Sequence, residues 1–100
     1  MKEYNIKIFS EAENDLSEIV DYLATLSEQA ALKYYDLIIE KIGTLKTMPE
    51  RRPLVKDTRL RLRGYRTLPV KNYIVFYIIN GKTVEIHRIL YARRQYEALL

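Results

Sequence analysis

The sequence predicts an α+β domain: a helical hairpin packed on a small, mostly antiparallel sheet, in the order β-α-α-β-β-β with a short C-terminal tail. Three observations carry this. A short run of alternating polarity opens the chain. Two stretches with apolar residues at helical spacing follow, with almost no loop between them. Three strand-like runs, broken by short turn signals, then fill the second half. With 100 residues, 1–100 make a single domain that can hold a modest core without staples.

Each element has its own signals. "YNIKIF", residues 4–9, alternates in polarity and carries β-branched isoleucines, so it reads as a strand. Ser10 follows as a candidate helix cap, with Glu13 three residues on to complete a capping box. Ala12, Leu16, Ile19, Leu23 and Leu26 then form one apolar stripe. Glu11, Glu13, Asp15, Glu18 and Asp21 lie between them as an acidic face, expected to be solvated. Ser27 is the cap candidate of a second helix, in which Ala31, Tyr35, Ile38, Ile42 and Leu45 repeat the spacing. Lys41 and Lys46 suit the negative end of its dipole, and Met48-Pro49 is the expected stop.

Residues 51–66 read as a basic connector: Arg51, Arg52, Lys56, Arg59, Arg61, Arg63 and Arg66 stand against the single acid Asp57. In this reading Leu60 and Leu62 point inward and the arginines between them outward. "YRTLPV" is a strand whose Pro69 demands an edge position or a bulge. Lys71-Asn72 is a turn. "YIVFYII", residues 73–79, is apolar on both alternating faces and is therefore expected to be central and covered on both sides. Asn80-Gly81 predicts a type I′ hairpin, and "KTVEIHRILY" is the returning strand. On the central strand Tyr73, Val75, Tyr77 and Ile79 share one face, and Ile74, Phe76 and Ile78 the other. A helical hairpin covers only one of them. The other calls for a protein partner or a curled loop, because a large bare apolar patch is unusual on a monomer.

Composition narrows the chemistry. Hydrophobic residues make up 48%, too many for a disordered chain. The absence of cysteine excludes disulfides and thiolate chemistry, and with one histidine it argues against a zinc site, so neither a metal nor another cofactor is expected. No apolar run approaches the ~18 residues that span a membrane, and the N-terminal region does not read as a signal peptide. A cytoplasmic location and no membrane partner are the expectation. Charge is divided: residues 1–50 hold 5 basic and 10 acidic residues, residues 51–100 hold 12 basic and 3 acidic. A basic half opposite an acidic half suits a polyanionic or acidic partner on one side.

"RGYRTLPVKNYIVFYII", then "NG", then "VEIHRILYARRQYEALL" together resemble the RelE/ParE superfamily, the toxins of bacterial type II toxin–antitoxin systems. The resemblance spans nearly the whole chain. It implies growth inhibition held in check by a small antitoxin protein whose C-terminal segment wraps the toxin. It also implies one of two targets. The RelE branch is a ribosome-dependent endoribonuclease that cuts mRNA, an mRNA interferase; the ParE branch blocks DNA gyrase. Fold alone does not separate the two.

The residues bear on this choice. Cutting RNA by internal transfer needs a base, an acid and positive charge on the phosphorane. If the chain is a nuclease, the catalytic candidates are Arg66, His87, Tyr91 and Arg93. The RelE pattern places a basic residue after the first tyrosine of the central strand and two alternating basic residues on the strand before it; Ile74 and Leu68 stand at two of these positions. The ending "RILYARRQYEALL" is closer to the ParE branch. In that reading Arg88, Tyr91, Arg93, Arg94 and Tyr96 form a target-docking patch, a mixture of arginine and tyrosine common in binding hot spots. Arg59, Arg61, Arg63 and Lys71 add a basic surface suited to phosphates or carboxylates. A structural role for His87 and a plain nucleic-acid-binding module are the competing readings.

Overall fold

The computed structural model describes residues 3–93, 99 and 100. The first strand, β1 (Asn5–Ile8), runs directly into helix α1 (Ser10–Leu26). The Phe9 N–H still bonds the Ile86 carbonyl at 2.9 Å, as the last rung of the strand ladder. No residue is left over for a cap. Phe9 holds the N-cap position without a side-chain bond, and Ser10, expected to cap, is instead the first helical residue. Its hydroxyl donates to Glu11 at 3.1 Å. Glu11 and Glu13 in the first turn satisfy the helix dipole instead.

Ser27 alone joins α1 to α2 (Glu28–Gly43) and serves both: its N–H closes on the Leu23 carbonyl at 2.8 Å, and its Oγ accepts from the Ala30 N–H at 3.2 Å. The second helix stops at Gly43, five residues before the expected Met48-Pro49. A 3₁₀ turn over Thr44–Lys46 carries the apolar spacing on to buried Leu45. Met48 then takes a left-handed conformation, φ 49°, ahead of a second 3₁₀ turn over Pro49–Arg51.

The basic connector is not extended throughout. Thr58–Leu62 forms a short helix, α3, because Asp57 caps it: its Oδ1 accepts the Leu60 N–H at 3.0 Å. Helical rotation separates the two leucines that alternation had put together. Leu60 is fully buried and Leu62 is 82% exposed.

Strands β2 (Arg66–Val70), β3 (Tyr73–Asn80) and β4 (Thr83–Tyr91) complete a sheet of order β1-β4-β3-β2. β1 lies parallel to β4 and the other pairs are antiparallel. Pro69 falls on an edge strand, where its missing N–H costs no ladder bond. Asn80 pairs with Thr83, so the β3–β4 loop is Gly81-Lys82 rather than Asn80-Gly81. Only Gly81 has positive φ there, 61°, as at the first central position of a type II′ turn, not both residues as in type I′.

The two faces of β3 divide as its alternation requires. Tyr73, Val75 and Tyr77 join Ala12, Leu16, Ile19, Ile38 and Ile42 beneath the helical hairpin. Phe76 joins Val55, Leu60, Tyr65 and Leu90, with Ile74, Ile78, Leu99 and Leu100 packed against them. The connector therefore curls over the second face, so of the two expected covers the loop is the one observed. Tyr77 anchors the connector's start by donating its hydroxyl to the Pro49 carbonyl at 2.7 Å. Burial pushes that phenol up to about 12.

Strand β4 holds the main irregularity. Phe76 pairs with Arg88 but Tyr77 with Ile86, so His87 is an extra residue, a β-bulge. The bulge shifts the alternation. Val84, Ile86 and Ile89 all reach the hairpin-side core, while Arg88 is turned away from it. β1 ends opposite Ile86, so the remainder of β4 has no strand on that side. Asp15 of α1 fills the gap. Its Oδ2 accepts the Ile89 N–H at 2.9 Å and the Arg88 Nε–H at 2.7 Å, and its Oδ1 accepts from Arg88 Nη2 at 2.8 Å.

Asp15→Ala strands a largely buried guanidinium and a buried N–H together. It should cost about 2–4 kcal/mol, somewhat below the range for breaking a fully buried ion pair because Arg88 keeps some solvent contact. Asp15→Asn, which still accepts one of the bonds, should cost roughly half as much; urea unfolding measures both. Tyr77→Phe should cost about 1–2 kcal/mol by leaving the Pro49 carbonyl unpaired. The raised phenol also sets a sign. Tyr77 supports the fold fully below pH 10 and loses its contribution as pH rises toward 12, a loss Tyr77→Phe should remove.

Candidate functional site

The bulge determines what the second half of β4 presents. His87 stacks on Phe9, with ring centroids 4.3 Å apart and planes 22° apart, and meets Tyr65 edge-on. Its Nε2 lies 3.1 Å from Glu85 Oε1 and its Nδ1 3.0 Å from the Tyr65 hydroxyl. A carboxylate only accepts, so Nε2 carries a proton toward Glu85, and Nδ1 faces the Tyr65 hydroxyl. Glu85, His87 and Tyr65 form a continuous relay. Hydrogen bonds from Asn80, then from His87, hold the Glu85 carboxyl below its usual 4.5.

Beside the relay is a cleft of roughly 240 Å³, bordered by Glu11, Arg63, Tyr65, His87 and Arg88 and floored by Leu99 and Leu100. Arg63 lies over the Tyr65 ring at 5.2 Å and donates to the Leu100 main-chain oxygen at 3.0 Å. Arg88 donates its remaining Nη1 to the Leu99 carbonyl at 3.0 Å. Hydrogen bonds to Asp15 hold the Arg88 guanidinium above its ordinary value. Both arginines are thus committed to acceptors within the chain.

The four nuclease candidates do not gather around this relay. Arg66 pairs across the sheet with Tyr77, on the hairpin side, and donates to the Glu50 and Arg52 carbonyls. His87 is on the opposite face. Tyr91 is at the far end of β4, 45% exposed and edge-on to Tyr73 at 5.8 Å. Arg93 is exposed in the turn that follows. Of the docking patch, Arg88 is half-buried and Tyr91 and Arg93 are exposed; Arg94 and Tyr96 lie outside the described residues. Of the basic surface, Lys71 is exposed at the β2–β3 turn, and Arg59, Arg61 and Arg63 belong to α3 and its C-cap. Arg61 donates to the Val55 carbonyl at 3.3 Å. Among the described residues no group of three His, Asp or Glu side chains is placed to hold a metal ion, and no helix is long and apolar enough to cross a membrane.

A second opening lies on the hairpin side. Asp15, Glu18 and Tyr22 of α1, Tyr34 of α2, and Tyr73 and Tyr91 of the sheet border a groove of roughly 600 Å³. Sequence reading missed Asp15, Tyr65 and Glu85 as structural partners and did not group these tyrosines. The lengthened spacing of Ile86 and Ile89 was the available signal for the bulge that brings His87 and Arg88 to one face.

The relay makes acid stability depend on Glu85. Its carboxyl titrates lower in the folded chain than in the unfolded one, so its contribution is complete above about pH 4.5 and is lost as pH falls through its folded value. Glu85→Gln should lower the urea midpoint at pH 7, where the carboxylate contributes in full, and flatten its dependence on pH below about 4.5.

A structure of the chromosomal ParDE toxin–antitoxin system from P. aeruginosa is similar, with a TM-score of 0.79 at 22% identity over 93% of this chain and 100% of that one. The toxin–antitoxin complex RelBE2 from Mycobacterium tuberculosis is similar more distantly, with a TM-score of 0.58 at 18% identity over 89% of this chain and 98% of that one. A search of the curated proteins found no match. Residues 6–96 match the model of a family described as the ParE toxin of the type II toxin–antitoxin system, parDE, and the chain belongs to that family.

Proposed function

We propose that this toxin arrests growth by docking on DNA gyrase, and that a cognate antitoxin holds it inactive. The observation that carries the proposal is the state of the relay. Both ring nitrogens of His87 are occupied, Arg66 is on the other side of the sheet, and Arg88 is bound to Asp15. A nuclease needs a base and an acid facing one bound phosphodiester. A docking inhibitor needs only a rigid surface. Arg93, exposed next to exposed Tyr91, supplies such a surface, and Arg94 extends it in sequence. The antitoxin part of the proposal draws support from the similar structures, both described as toxin–antitoxin systems or complexes.

One observation favours the second reading, a ribosome-dependent ribonuclease. Glu85, His87 and Tyr65 form a carboxylate–imidazole–phenol chain at a cleft that also holds Arg63 and Arg88. Opened by the ribosome, such a chain could move a proton.

The two readings separate in one experiment. The chain is induced without antitoxin, transcripts are mapped by primer extension, and purified chain is added to a gyrase supercoiling assay. The expected result is intact transcripts, blocked supercoiling, and loss of both growth arrest and gyrase inhibition in Arg93→Ala/Arg94→Ala with no change in unfolding midpoint. His87→Gln should keep its toxicity. New cuts inside translated codons that disappear in His87→Gln would replace the gyrase reading with the nuclease.

A further inference from the structure

The groove on the hairpin side is chemically out of character with the chain. The protein carries a net charge of +4, yet among the described residues no lysine, arginine or histidine lines this groove. Its polar rim is acidic, formed by Asp15 and Glu18, and its aromatic lining is four tyrosines. Tyr73 is the floor, largely buried, with Tyr34 edge-on at 5.9 Å and Tyr91 edge-on at 5.8 Å. Tyr22, 62% exposed, and Tyr91, 45% exposed, present ring surface to solvent on either side.

The two carboxylates differ in availability. Asp15 is saturated by Arg88 and the Ile89 N–H. Glu18 is exposed one helical turn further on; its charge acts on Arg88 at a distance, and among the described residues no hydrogen bond engages it. Aromatic faces carry negative potential and attract cations, and a nearby carboxylate strengthens that attraction. Burial, followed by the neighbouring phenols of Tyr34, Tyr22 and Tyr91, pushes the Tyr73 phenol up, so the ring stays uncharged at neutral pH.

We infer that this groove is a docking site for an arginine side chain presented by an otherwise apolar segment of a protein partner. A guanidinium is planar, weakly hydrated and suited to stacking between rings, which favours arginine over the compact, strongly hydrated lysine ammonium. A volume of roughly 600 Å³ exceeds what one guanidinium fills, and Leu23 and Leu90 give the remainder an apolar wall, so flanking aliphatic side chains enter with it. The groove shares Tyr91 with the Arg93 surface but rests on Glu18 and Tyr22, which lie outside it, and stands whether the toxin's target is gyrase or the ribosome.

The test uses the full chain and defined probes. Acetyl-Leu-Arg-Leu-amide, its citrulline counterpart and spermidine are titrated against ¹⁵N-labelled protein, following the Glu18, Tyr22, Tyr73 and Tyr91 amides. The arginine peptide should shift these signals with millimolar affinity, about fivefold or more tighter than the citrulline peptide, since citrulline keeps the shape and loses the charge. Glu18→Gln should weaken it about threefold or more, and Glu13→Gln, on the same helix but outside the groove, should not. Both positions are exposed, so neither exchange disturbs the core. Equal binding of the citrulline peptide, no shift at about 10 mM, or unchanged affinity in Glu18→Gln would each overturn the inference. Spermidine binding as tightly as the peptide would also overturn it, by showing a site for free cations and not for a protein segment.

Discussion

The Asp15–Arg88 pair is the constraint on which the rest of this structure depends. Two departures from regular structure make it necessary. The extra residue at His87 turns Arg88 out of the hairpin-side core, and β1 ends opposite Ile86 while β4 runs on to Tyr91. An arginine and an unpaired N–H are left at the same place on an uncovered edge. One carboxylate resolves both. Taking two charges out of water is expensive, and an isolated pair can fail to recover that cost. Here the fork is bidentate, the carboxylate takes a third bond from the Ile89 N–H, and Arg88 keeps a fifth of its side chain in solvent. Among the described residues no buried side-chain polar atom is left without a partner. The pair fixes α1 against the sheet and stands between the two openings: Asp15 borders the tyrosine groove and Arg88 the relay cleft.

Much of the fold was legible because periodicity reports which face a residue buries. The split of β3 into two cores, the choice of an edge or a bulge for Pro69 and the capping of the second helix by Ser27 all follow from patterns visible in the chain. What was not legible needed knowledge of position. Asp15 reads as one more acid on an acidic helix face, and nothing in its neighbours marks it as buried. "RLRLR" alternates like a strand, and a single capping bond from Asp57 turns it into a helix that throws Leu62 outward. The turn at Asn80-Gly81 was placed one residue early because Asn and Gly both tolerate positive φ, and the register with Thr83 decides which of them needs it. The bulge left a trace: Val84 and Ile86 alternate and Ile89 breaks step. That trace looks like noise until the pairing partner is known.

The candidate site was only partly legible for a related reason. Seven arginines and lysines across residues 51–66 read as a cationic surface. Several are structural fasteners. Arg52 Nε donates to the Thr67 carbonyl at 3.0 Å, Arg61 to Val55, Arg66 to Glu50 and Arg52, and Arg63 to Leu100. A curled connector exposes carbonyls that no helix or strand satisfies, and the arginine fork carries five donors on a long stem. Charge content therefore overstates the charge available to a partner. Net charge steers association through the long-range field, where buried and exposed charges both count, whereas contact requires a head group still open to the partner.

This distinction bears on how one fold serves two activities. The overall fold is similar to structures described as ParDE and as RelBE2, so the scaffold by itself selects neither chemistry. Ile74 and Leu68 occupy strand positions where a nuclease of the superfamily is expected to place cations, and both pack into apolar surroundings here. The one histidine is stacked, hydrogen-bonded at both nitrogens and placed by a bulge that also serves the Asp15 anchor. A change that freed His87 for catalysis would have to break its bond to Glu85 or to Tyr65, and removing the bulge would drive Arg88 into the hydrophobic core. The arrangement that stabilises the fold is thus the same one that holds His87 between Glu85 and Tyr65.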